Sequence, residues 1–233
     1  MSTQIDIYNR ALSYLDLSQR VQSLTENTPT AGYCNTFWDP ARKMILEQCY
    51  WSFATRAAAL ALLLDQGVLP QANVIYPGWR YNYAKPNEAL KVQAVTTWYG
   101  IRANPYLSYW WLPVSQGTSI GMPGPFRPPW KEALDYTNTA NPGQSIDILT
   151  DQDGAWAIYT TDPPNIAVCT EVFADCVSWK LATMVSGPVS ASAKAKENAI
   201  KMADLSLSRA LAQNLNEEQP DPYPESPSTL SRL

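Results

Sequence analysis

The chain has 233 residues, of which 45% are hydrophobic and 16% charged, enough apolar material to bury a real core and too much for a disordered polypeptide. Lys and Arg number 17 against 21 Asp and Glu, a formal charge of −4, and no basic run exceeds Arg42-Lys43, which argues against a surface that grips duplex nucleic acid. Histidine is absent, so the commonest general base and the commonest metal ligand are both missing.

The first predicted helix runs from about Gln4 to Asp16, with Ile5, Tyr8, Leu12 and Leu15 on one face. The second begins near Thr28, where Thr-Pro supplies a side-chain cap and then a proline at the first helical position, whose missing N–H costs nothing there. Cys34, Phe37, Trp38, Ala41, Ile45 and Cys49 form its apolar face, with Arg42, Lys43 and Glu47 on the other side. Pro40 lies inside this pattern and predicts either a kink or a fresh start capped by Asp39.

From Trp51 to Arg56 large apolar residues alternate with small or polar ones, as on a half-buried strand. The extended reading continues to about Val95, punctuated by Gln66-Gly67 and Tyr76-Pro77-Gly78, and predicts a small sheet. Residues 97–143 crowd Trp, Tyr, Pro and Gly together, and an irregular segment of that length implies a function of its own. Ser145–Leu149 and Ala155–Tyr159, joined by Asp151-Gln152-Asp153-Gly154, read as a hairpin. A third helix spans about Thr170 to Val185 and stops at Gly187-Pro188; its stripe of Phe173, Val177, Leu181 and Met184, flanked by Val172, Cys176 and Trp179, is wide enough for burial on several sides. The last helix covers about Val189 to Asn216, with Ile200, Ala203, Leu207 and Leu211 along it. A proline-rich acidic tail occupies 217–233. No apolar stretch approaches a membrane span, and the N-terminus lacks the basic and apolar regions of a signal peptide, so a soluble chain made in the cytosol is expected.

Chemistry is sparse. Cys34 and Cys49 on one straight helix would stand roughly 22 Å apart, and Cys169 and Cys176, if both helical, about 10 Å, beyond disulfide reach, so all four are expected as reduced, buried small hydrophobes. Asp151-Gln152-Asp153-Gly154 has the opening spacing of a calcium loop, but Ala155-Trp156-Ala157 supplies no side-chain oxygens and no Glu closes it, so it reads as a turn. No phosphate loop, zinc spacing or nucleophile elbow occurs. Tyr106, Tyr109, Trp110, Trp111 and Trp130, with Trp98 and Tyr99, would suit a subunit interface or the chain's own core, because such rings bury large areas. The alternative is a glycan-binding or polysaccharide-degrading tail component that uses these rings as a stacking platform. Glu88, Glu132 and Asp135 are available carboxylates for it but read as ordinary surface residues. The residues alone therefore describe an α+β interaction protein without evident catalytic apparatus.

Several blocks follow one another in an order that resembles one family. They are the helix Ile5–Leu12, the turn Ser23-Leu24-Thr25-Glu26, Asp39-Pro40-Ala41-Arg42, the stretch from Cys49 through Trp51-Ser52-Phe53-Ala54-Thr55-Arg56 to Leu64, and Pro77-Gly78-Trp79-Arg80-Tyr81-Asn82-Tyr83-Ala84 with Pro86 and Leu90-Lys91-Val92. Ile158-Tyr159 through Asp162-Pro163, leading into the Phe173–Leu181 helix, completes the series. Together they resemble the head-to-tail adaptor of tailed phages, the tail tubular protein A group, over about residues 1–95 and 145–216. The resemblance implies a discontinuous helical core (1–50 and 165–216), a β-rich insertion (51–164) bearing the aromatic loop 97–143, and an extended C-terminal arm (217–233). It implies a non-enzymatic virion protein at the head–tail junction, present in host cytoplasm during assembly, without cofactor, metal or membrane. Its partners would be the portal protein, a downstream nozzle or tail-tube protein, and further copies in a dodecameric ring, with double-stranded DNA passing through unbound. A neutral or acidic channel lining would agree in sign with the net charge. In the tail, Pro220, Pro222, Pro224 and Pro227 rule out a regular helix and favour a polyproline-like path, with Tyr223, Leu230 and Leu233 as anchors. Relatives extend this end along the portal, which implies portal contacts for Pro220, Pro222, Tyr223, Pro224, Leu230, Arg232 and Leu233.

Overall fold

The computed structural model describes residues 2–49, 51–68, 76–97, 129–135, 145–163 and 165–217, and among these it contains four α-helices and seven β-strands in antiparallel sheets. The fold is mixed α+β.

Helix α1 (Gln4–Tyr14) opens on a reciprocal cap: the Asp6 amide donates to Thr3 Oγ1 and the Thr3 amide donates to the Asp6 carboxylate. Its inner face is Ile7, Tyr8, Ala11 and Leu12, whereas Ile5 is only half-buried. Helix α2 (Pro29–Gln48) is capped by Thr28 with Pro29 in its first turn, as the sequence predicts, and runs through Pro40 without a fresh start at Asp39. Pro40 withholds the amide that would bond the Thr36 carbonyl, but both residues are exposed, so water meets that carbonyl. The face Cys34, Trp38, Ala41, Ile45 is buried as expected. Arg42 is not a solvent-side residue: its side chain is only 13% exposed.

Helix α3 (Glu171–Val185), capped by Thr170, is buried around most of its circumference and touches α1, α2 and the last helix, α4 (Ala193–Glu217). One apolar cluster gathers all four helices with Trp51 and Ala54. Of the predicted stripe, Ala203, Leu207 and Leu211 pack half-buried against the helical cluster and Ile200 does not. Ala195, Ala199, Ser206 and Ala210 are buried while Ile200 is exposed, because small side chains let α4 lie close against α3. Ala199→Leu is therefore expected to cost about 1–3 kcal/mol by overpacking. Ile200→Ser should stay within about 0.5 kcal/mol. Urea midpoints of the two variants check the assignment, and the opposite order would reverse the inward face.

Trp51–Arg56 is not one strand. Ser52–Ala54 forms a 3-10 turn that seats Trp51 in the helical cluster, and β1 begins at Thr55. Strands β1 (Thr55–Ala59), β7 (Ala155–Thr161) and β4 (Ala89–Thr97) form a sheet with β7 in the middle. The second sheet has the order β2 (Ala61–Asp65), β3 (Tyr81–Ala84), β6 (Ile146–Thr150), β5 (Trp130–Leu134). Leu60, Tyr81, Tyr83, Val92, Val95, Ile148, Ala157 and Tyr159 join the inner faces of both in one core. The predicted hairpin of residues 145–159 does not form. β6 pairs with β3 and β5, whereas both edges of β7 are occupied by β1 and β4, so the turn at 151–154 carries the chain from one sheet to the other. Gly154 takes φ +59 there, a left-handed conformation that costs glycine nothing. The chain changes sheets at Leu60 and again between β3 and β4.

Candidate functional site

The predicted portal-contact residues Pro220, Pro222, Tyr223, Pro224, Leu230, Arg232 and Leu233, and the predicted interface residues Tyr106, Tyr109, Trp110 and Trp111, lie outside the described residues. Trp130 is described. It begins β5 opposite Thr150 and packs half-buried against the chain's own β core, so its ring is not a free stacking platform.

Two constellations stand out. The first joins three of the sequence blocks. Arg42, on α2, donates from Nη2 to Asp162 Oδ2 just after β7 (2.8 Å), with Nη1 in ion-pair contact with Oδ1 at 2.6 Å, donates to the Pro163 carbonyl (3.1 Å) and to Asp39 (3.2 Å), and lies over the Trp38 ring at 5.8 Å. Trp51 meets Phe173 edge to face at 5.0 Å and donates its indole N–H to the Ile45 carbonyl at 3.0 Å. Thr161, the neighbour of Asp162, donates to the Ala54 carbonyl at 3.1 Å, so Asp162-Pro163 is linked both to Asp39-Pro40-Ala41-Arg42 and to Trp51-Ser52-Phe53-Ala54.

The second is a buried polar cluster on the face of the four-stranded sheet opposite the shared core. Asp147 (1% exposed) and Asp135 (5% exposed) lie diagonally across the β5–β6 pair, Asp147 opposite Ala133 and Asp135 opposite Ser145. Asn82 Nδ2 donates to Asp147 Oδ2 at 2.7 Å, and Ser145 donates to Asp135 Oδ2 at 2.9 Å. Tyr76 closes the cluster: its hydroxyl donates to the Leu134 carbonyl at 2.7 Å and lies 3.4 Å from Asp147. Gln66 fixes Tyr76 in turn, accepting from its amide and donating to its carbonyl. Asn82 Oδ1 is buried and meets no donor among the described residues. Burial holds the Asp147 carboxyl above the usual range; the bonds from Asn82 and Tyr76 oppose this, and the neighbouring Asp135 carboxyl reinforces it.

Asp135 was expected at the surface and is not. Asp147 was missed, although an acid flanked by Ile146, Ile148 and Leu149 in a predicted strand was a signal that something must satisfy it. The other two carboxylates are engaged on the surface, Glu88 accepting from Tyr159 at 2.6 Å and Glu132 pairing with Lys85 at 3.0 Å. Asp135 and Asp147 are sealed from solvent, whereas the two carboxyls of a glycosidase flank a bound sugar. Burial pushes the thiols of Cys34, Cys169 and Cys176 up to about 11, so they are protonated and weakly nucleophilic at neutral pH. No group of three or more Asp, Glu or Cys among the described residues is placed to hold a metal, and no described helix is long and apolar enough to cross a membrane. No protein-family model and no curated protein matches the chain.

Proposed function

We propose that this protein is a structural head-to-tail adaptor of a tailed phage, forming a ring beneath the portal that extends the DNA channel and seats the tail. The observation that supports the reading is that sequence blocks resembling adaptors, far apart in the chain, are tied together in pairs, Arg42 to Asp162 and Trp51 to Phe173. In this reading the helices near both termini, gathered around α3, are the core; the strands form an insertion directed toward the tail; and the arm 217–233 grips the portal. A ring of identical wedges needs two different surfaces that fit each other. The four-stranded sheet supports this, having exposed Leu62 and Leu63 on edge strand β2 and exposed Leu134 and Ile146 at its β5 side.

The test is to mix the purified protein with its cognate portal and weigh the product by native mass spectrometry. One copy per portal subunit is expected, and deletion of residues 217–233 should abolish capture while leaving the helical circular-dichroism signal intact. A full chain that stays monomeric at high concentration beside an intact portal refutes the adaptor reading. Undiminished capture by the truncated chain refutes only the role of the arm.

A further inference from the structure

The buried apolar residues fall into separate clusters. One gathers the four helices with Trp51 and Ala54, another fills the space between the two sheets, and the two have no residue in common. The chain leaves the helices at Ala54 and returns after Thr161, and these two crossings touch. The Thr161 hydroxyl donates to the Ala54 carbonyl at 3.1 Å, beside the Thr55–Thr160 pair that ends the β1–β7 ladder. Both covalent links between strands and helices therefore pass through one place. The Arg42–Asp162 pair follows directly on Thr161, so it fastens that place to α2.

One strand further along, the start of β4 makes a contact of a different kind. Ala89 stands opposite Thr161 and Lys91 opposite Thr160, which leaves Leu90 as an extra, bulged residue. The bulge aims Leu90 away from the β core: it packs half-buried against the helical cluster, and among the described residues it is the one strand side chain that does so. Next to it, the exposed Lys91 ammonium donates to the Glu47 carbonyl in the last turn of α2 at 2.9 Å.

We propose that the β4 bulge is a latch, that the Ala54–Thr161 crossing is a hinge, and that the strands swing about it as one body when Leu90 and Lys91 let go of α2. Two bodies with their own cores move against each other unless a large apolar interface joins them. Here the joint away from the hinge is one half-buried leucine and one solvent-exposed hydrogen bond. The short turn Ser52–Ala54 and the return past Asp162 supply the few terminal residues that a hinge needs. The hinge is independent of the adaptor reading.

Distances between paired spin labels, measured by electron–electron dipolar spectroscopy on the full chain, test this. Lys131→Cys on β5 and Asn198→Cys on α4 report between the bodies, and Lys131→Cys with Asp153→Cys reports within the strands; all three positions are exposed. Half-buried Cys169 is replaced by serine in every labelled chain, while the other three cysteines are buried. Adding Leu90→Ala and Lys91→Ala should raise the ratio of swung to docked molecules by about tenfold, the equivalent of half a buried leucine side chain. The 131–198 distance should then broaden or split while the 131–153 distance stays single and narrow. An unchanged 131–198 distribution overturns the proposal, and so does a 131–153 distance that broadens in step, because the strands would then be unfolding instead of swinging. If the variant does not fold, urea below the midpoint decides the matter in chains with Leu90 and Lys91 intact. The 131–198 distance should broaden while the 131–153 distance and the helical circular-dichroism signal hold, and loss of all three in one transition overturns the hinge.

Discussion

Replacing Trp51 with alanine is expected to remove about 3–5 kcal/mol of stability, the range for emptying a buried indole site. The ring is 1% exposed, edge-on to Phe173 and tilted against Phe53 at 5.7 Å, so little around it is free to collapse into the void. Its N–H also satisfies the Ile45 carbonyl near the end of α2 in a buried position, and stranding that acceptor adds about 1 kcal/mol. Set against a total of about 5–15 kcal/mol for a folded domain, the loss brings the chain close to unfolding at ordinary temperature. Trp51→Phe separates the contributions: it keeps most of the burial and gives up the hydrogen bond. Urea denaturation followed by far-ultraviolet circular dichroism should rank wild type above W51F and W51F well above W51A. A midpoint for W51A near wild type would mean that Trp51 is not part of the core.

Arg42→Ala is expected to cost about 2–3 kcal/mol, less than the roughly 3–5 kcal/mol of breaking a fully buried pair because Asp162 keeps 28% of its side chain in contact with water. The damage has two sources: a half-buried carboxylate loses its partner, and the Pro163 carbonyl loses its donor. Arg42→Lys should restore little of it, since an ammonium cannot reach the Asp162 carboxylate, the Pro163 carbonyl and Asp39 together as the planar fork of Arg does. A double-mutant cycle with Asp162→Ala gives the direct check. The double variant should be less destabilised than the sum of the singles, because removing Asp162 removes the stranded charge. Strict additivity would show that the two side chains do not interact in solution.

Much of the helical part was legible because its signals are local. Thr28-Pro29 and Thr170 are caps whose chemistry is complete within four residues, and the run from Phe173 to Leu181 is apolar enough to demand burial on several sides. On α4, periodicity finds Ala203, Leu207 and Leu211 but misplaces Ile200, and it passes over Ala195, Ala199 and Ala210, whose value lies in their smallness. The hairpin failed for another reason. Two apolar runs around a glycine turn look the same in sequence whether they pair with each other or part for different sheets, and β7 is claimed by β1 and β4, whose residues lie far upstream. The acidic cluster was half visible. Asp135 reads as a surface carboxylate because charge alone does not reveal its partner, Ser145, and the partners of Asp147, Tyr76 and Asn82, come from stretches far upstream.

That β7 is the middle strand of its sheet also sets when the protein is able to fold. Thr55 pairs with Thr160 and Lys91 with the same residue from the other side, so neither β1 nor β4 has a neighbour until β7 has left the ribosome. The helices wait too, because α1 and α2 pack on α3, which is made later still. During roughly the first two thirds of translation, about 10–30 s at bacterial speeds, the nascent chain presents Ala57–Leu64 and Leu90–Val95 with few of their final partners. Pairings between residues so far apart close slowly. Folding should therefore be completed only after synthesis has passed residue 185.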